Sequence, residues 1–135
     1  MRLVLLCALA AVATAAVAEP AVPPVTAPAT LATLDVPADR GPQQVIVQSR
    51  EFAPGSSSGW HTHPGVEIST VVAGTTEVRI GSAPPRVVHA GDSITIPRGA
   101  AHEARAIGSA PARLVITFVV DAGQPLRTVV PAPGP

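Results

Sequence analysis

His61 and His63 stand two residues apart, and Glu67 follows four positions later. Residues two apart in an extended strand share a face, so both imidazoles point the same way and Glu67 has their parity. A fourth group, His102, lies far along the chain in GDSITIPRGAAHEARA. Three neutral imidazoles and one carboxylate suit Fe, Mn, Ni, Co, Cu or Zn as divalent ions. They do not suit Mg or Ca, which prefer shells built wholly of oxygen. On an octahedral ion, four such ligands leave two positions for a bidentate substrate, or for substrate and dioxygen. Zinc would be closed by the same four groups. His89, the remaining histidine, stands alone beside Ala90-Gly91 and reads as an ordinary residue near a turn.

Short strands must carry these groups. Gln43 to Phe52 contains the β-branched run Val45, Ile46, Val47 and reads as a strand. Trp60 to His63 is a shorter one, broken by Pro64-Gly65, so that His61, His63 and Glu67 converge from one hairpin. Val66 to Ala73 runs on to a turn at Gly74. Thr75 to Ile80 then alternates apolar and polar residues, with one face buried and one wet. Arg86 to His89, Ser93 to Ile96, His102 to Ala106 and Ala112 to Asp121 complete the set. The tail, 123–135, has room for an edge strand at Arg127 to Val130.

No stretch of ten residues beyond Ala18 has a helical period, so the expected fold is all-β, a barrel or a sandwich. Its core candidates are Val45, Val47, Ile68, Val72, Val78, Ile80, Ile94, Ile96, Leu114, Ile116, Phe118 and Val120. Trp60, of opposite parity to the two histidines, is expected in outer packing, and Arg98, in a turn, is expected to face solvent.

The two framed stretches resemble the cupin family. Its first motif is matched by Gly55, His61, His63, Glu67 and Gly74 at the family's spacings. Its second is matched by Gly91, Pro97, Gly99 and His102, with Ala106 where the family commonly has Asn. Sixteen residues, Thr75 to Ala90, separate the motifs. The likeness runs from about Gln43 to Asp121 and is nearest to the small single-domain bacterial cupins named after quercetin dioxygenase. It implies a double-stranded β-helix, or jelly-roll barrel, with His61, His63, Glu67 and His102 as metal ligands. It also implies a dioxygenase-like oxidoreductase acting on a small organic molecule, with Glu67 as the catalytic group that leaves the metal or takes a proton. The alternative is a non-catalytic periplasmic binding module for a metal ion or small metabolite.

The rest of the chain bounds these readings. The 135 residues suffice for one domain, and nine arginines against nine acids give a formal charge of zero. Nothing suggests electrostatic capture of nucleic acid or membrane, and two Phe and one Trp make no stacking platform for bases. Residues 1–18 read as a signal peptide, with Arg2, an apolar run from Leu3 to Ala16, and the cleavage site Ala16-Val17-Ala18. Export to the periplasm or medium is expected, after which no membrane association remains and Cys7, the sole cysteine, is gone. Residues 19–42 read as a Pro/Ala-rich linker and N-terminal extension, with Glu19 to Thr33 extended and without strand period. The cupin domain spans 43–122 and the tail 123–135. The expected partners are a small-molecule substrate or ligand and a second copy, because an open jelly roll has sheet edges to cover.

Overall fold

Period-two alternation sorts the side chains of this protein, and a computed structural model shows how. The structure describes residues 26–36 and 41–134. The leader reading of residues 1–18 lies outside them. The strands are β1 (Ala29–Val36), β2 (Gln43–Phe52), β3 (His61–Thr62), β4 (Gly65–Ala73), β5 (Thr75–Ile80), β6 (Arg86–His89), β7 (Ser93–Ile96), β8 (His102–Ala106), β9 (Ala112–Asp121) and β10 (Thr128–Val129). They form two five-stranded sheets, ordered β1-β2-β9-β4-β7 and β10-β3-β8-β5-β6. The pairings are antiparallel. The all-β jelly roll expected from the sequence is the observed fold.

Strand β9 is the spine of the first sheet. Ala112, Leu114, Ile116, Phe118 and Val120 are buried in strict alternation. With Phe52, Val71, Val78, Val88, Ile94, Ile96 and Ala106 they form the core. Buried aliphatics of this kind contribute about 1.5–3 kcal/mol each.

Four of the expected core residues face elsewhere. Ile68 and Val72 are 42% and 48% exposed. The inward face of β4 is Gly65, Glu67, Ser69 and Val71, and residues of the other parity must point out. Val45 and Val47 pair across the ladder with Val119 and Thr117, on the same outer face, and are only half-buried.

The extended linker reading also needs correction. Ala29–Val36 is a strand, paired with β2 through a register shift between Thr30 and Ala32. Its residues are exposed. The strand is held by edge hydrogen bonding, which leaves no alternating apolar signature. The tail does contain an edge strand: β10 pairs Thr128 with Thr62 and Val129 with His61.

Candidate metal centre

His61 and Glu67 do not come from one hairpin. The chain leaves β3 in the second sheet and enters β4 in the first, crossing at Pro64-Gly65. Gly65 makes the crossing sterically feasible. A Cβ there would lie 2.0 Å from the Val119 carbonyl oxygen and 2.5 Å from the Val120 Cα. The crossing puts the histidines and Glu67 on facing walls of the barrel. His102 opens β8 directly across the ladder from His61. The two motif loops are stitched together by main chain. Gly99 N–H donates to His63 C=O at 3.1 Å, and Ser58 N–H donates to Ala104 C=O at 2.9 Å.

His61, His63, Glu67 and His102 are all buried, and each offers a ligand atom within 4.8 Å of the others. Ring centroids are 4.3 Å apart for His61 and His102, 4.8 Å for His61 and His63, and 5.1 Å for His63 and His102. Phe118 backs His63 at 4.7 Å.

Each ring is oriented by a carbonyl. Nδ1 of His61 meets Gly59 C=O at 2.8 Å, Nδ1 of His102 meets Ala100 C=O at 2.9 Å, and Nδ1 of His63 meets Leu126 C=O. A carbonyl only accepts, so each Nδ1 must carry a hydrogen. In the neutral rings the lone pairs are therefore on Nε2. Nε2 of His63 lies 2.9 Å from Glu67 Oε2, and that of His102 lies 3.2 Å from it. The His63 contact lacks hydrogen-bond geometry, and this nitrogen is buried without a hydrogen-bond partner among the described residues. Acceptors thus face acceptors. His102 can donate to Glu67 only as an imidazolium, which needs an extra proton. A divalent cation among these atoms would satisfy all four groups without it, so the donor set fits a metal. Carbonyl support behind each imidazole is the usual outer arrangement around a ligating histidine.

The electrostatics agree with this assignment. Burial lowers the His61 pKa from 6.5 to about 4; the Gly59 contact opposes that shift, and His102 and His63 add to it. His61 therefore stays neutral, as a ligand must be. Burial works against ionisation of Glu67; the Ser69 hydroxyl, together with His102 and His63 when these are protonated, outweighs it and lowers the carboxyl pKa. The Ser69 hydroxyl donates to Glu67 Oε1.

The four groups line a cavity of about 110 Å³. Apolar side chains of Phe52, Leu114, Ile116, Phe118 and Leu126 line it as well, with Arg50 and Arg127 among them. Sequence reasoning missed Ser69, Arg50, Leu126 and Arg127. Ser69 alone had a local signal, the parity of Glu67. His89 lies outside the cluster, exposed, with Nδ1 3.3 Å from the Thr75 hydroxyl. Trp60 is half-buried and does not line the cavity. Arg98 is exposed and makes a two-pronged pair with Asp121 at 2.6 and 2.7 Å. Ala106 is wholly buried, and its main chain binds Gly55 and Ser56 at 3.0 Å.

Residues 49–124 match the sequence profile of the cupin domain. The chain belongs to the cupin family. This cupin is 37% identical over 79 residues to the cupin-domain-containing oxidoreductase srdB of Neurospora crassa, covering 58% of this chain and 40% of that protein. It also resembles a solved oxalate oxidase in complex with the substrate analogue glycolate, at 32% identity and a TM-score of 0.57, over 64% of this chain and 46% of that one. The DMSP lyase DddQ from Ruegeria pomeroyi DSS-3, at 22% identity and a TM-score of 0.59, covers 73% of this chain and 51% of its own and shares the fold. The chain thus spans about half or less of the length of these relatives, from 40% to 51%.

Proposed function

We propose that this cupin is a metal-dependent oxidoreductase, dioxygenase-like in its chemistry, acting on a small organic molecule. One observation carries the reading. Three imidazoles, each with Nδ1 tied to a carbonyl, gather with a single carboxylate in one cavity, and the Nε2 atoms of His63 and His102 face it. His61, His63, Glu67 and His102 would hold a divalent transition metal, which would supply Lewis acidity and, for a redox-active ion, electron transfer. The apolar walls seat the substrate's carbon skeleton. Glu67 supplies negative charge at the cluster, and Ser69 fixes one of its oxygens. The other oxygen faces His63 and His102, and it is the group we assign to accept a substrate proton. The oxidoreductase and oxalate oxidase among the relatives support the reaction class.

The leader motif supports export to the periplasm or medium, with cleavage after Ala18. Metal analysis of untagged protein, followed by oxygen uptake with a panel of small organic acids and phenols, tests the function. Bound transition metal and substrate-dependent uptake are expected. Bound metal with no turnover of any substrate would instead leave the binding-module reading. N-terminal sequencing of exported protein should begin at Glu19, and a stable product retaining residues 1–18 would sink the export proposal.

A further inference from the structure

Charge in the cavity does not balance. Glu67 is the only carboxylate among its lining residues, while Arg50 and Arg127 both line it. With Glu67 ionised and the imidazoles neutral, the walls carry one net positive charge, and a divalent cation would raise that further. Arg50 stands in β2 across the ladder from Leu114, which in turn pairs with Val71. That is two inward positions along β4 from Glu67. The Arg50 guanidinium carbon lies 5.2 Å from the centre of the Phe52 ring, and its Nε is buried with no hydrogen-bond partner among the described residues. Burial, and then Arg127, disfavour its charge, while Glu67 favours it. Arg127 is exposed at the mouth, anchored by a 2.7 Å bond from Nη2 to Ser58 C=O.

A half-buried guanidinium whose inner Nε has no hydrogen-bond partner among the described residues is better accommodated when something anionic meets it. We propose that Arg50, assisted by Arg127, binds the carboxylate of a small organic acid whose other end faces the histidine cluster. A guanidinium matches a carboxylate in shape and can hold it with parallel hydrogen bonds. Leu114, Ile116 and Leu126 require an apolar body between the two ends. A cavity of about 110 Å³ holds about four waters, which limits the ligand to a short acid. This inference deepens the proposed function, since it concerns the same cavity, but it does not depend on the metal.

The test compares butyrate with its neutral isostere butyramide by calorimetric titration, on the full chain as purified and again after chelator treatment. Wild type is expected to prefer butyrate in both states. Arg50→Met should lose about tenfold of that preference in both, the size of one charge-assisted hydrogen bond, while keeping its metal content. Arg50→Lys should recover part of it, and Arg127→Gln should lose a smaller part. Should Arg50→Met fail to fold, Arg50→Gln replaces it. An unchanged preference in the Arg50 variants overturns the proposal, as does a preference that vanishes on chelation, because the metal would then be holding the carboxylate. If the purified protein neither contains nor takes up metal, the metalloenzyme reading fails. The Arg50 dependence in the chelator-treated protein would still decide this inference.

Discussion

Acid should destabilise the metal-free barrel through His61. Its side chain is packed between His63, His102 and the Gly59 carbonyl, and its pKa falls from 6.5 to about 4, burial being the main cause. In the unfolded chain the same ring titrates near 6.5. Between these values the unfolded state binds a proton that the folded state refuses, so stability rises with pH across the window. The His61 contribution is present in full above about 6.5 and is lost as the pH falls through about 4. At about 1.4 kcal/mol per unit the ceiling is about 3 kcal/mol. Partial solvent access through the cavity reduces this to about 2 kcal/mol. The decisive measurement is urea unfolding of chelator-treated wild type and His61→Gln, from above pH 6.5 down to about 4. Glutamine keeps a donor for Gly59 and does not titrate. The other acidic and basic groups contribute to both curves, so the difference isolates His61. Wild type should lose about 2 kcal/mol more than the variant, with unchanged denaturant slopes. Parallel curves would refute the argument that burial holds this imidazole neutral.

Other substitutions probe the rest of the site and its scaffold. His63→Ala and His102→Ala should each lose most bound metal while folding normally by circular dichroism, whereas His89→Ala should keep it; elemental analysis of each variant decides, and full occupancy in His102→Ala would remove that residue from the centre. Glu67→Gln should bind metal more weakly than wild type but better than the alanine variants, because an amide oxygen can still ligate without charge. Thr76 is wholly buried with its hydroxyl unpartnered among the described residues, so Thr76→Val should stabilise the protein by about 1 kcal/mol in urea titration. Gly65→Ala would drive a methyl into the main chain of β9, so it should cost about 3 kcal/mol and reduce metal content through displacement of His63 and Glu67.

The parts of this molecule legible in its sequence are those encoded by local spacing. His61 and His63 share a face because they are two apart, and the Pro97, Gly99 and His102 spacing places the turn next to the fourth group. The strands from β2 to β9 follow from alternation and from turn residues such as Gly74. The errors in the expected core have a local cause as well. Once Glu67 is taken to face inward, period two sends Ile68 and Val72 outward, and hydrophobicity alone pulled them the wrong way. Strand β1 was hidden for a different reason. An exposed edge strand is selected by its backbone pairing with β2 and needs no apolar face.

The charge at the far end of the cavity was not legible at all. Arg50 reaches the same cavity as Glu67 only because β9 lies between β2 and β4 in the sheet, with Arg50 opposite Leu114 and Leu114 opposite Val71. Neither that strand order nor that register can be read from any window around Arg50. Arg127 arrives with the tail, which the pairing of β10 with β3 returns to the cavity mouth, and the same stretch brings the Leu126 carbonyl that orients His63. The motifs therefore specify a place where a metal fits. The long-range pairing of β2, β9 and β10 sets what else that place can hold, and here it adds positive charge opposite an apolar wall. A cupin with the same two motifs but a neutral residue at position 50 would keep the ligand set and lose the reason to favour an acid.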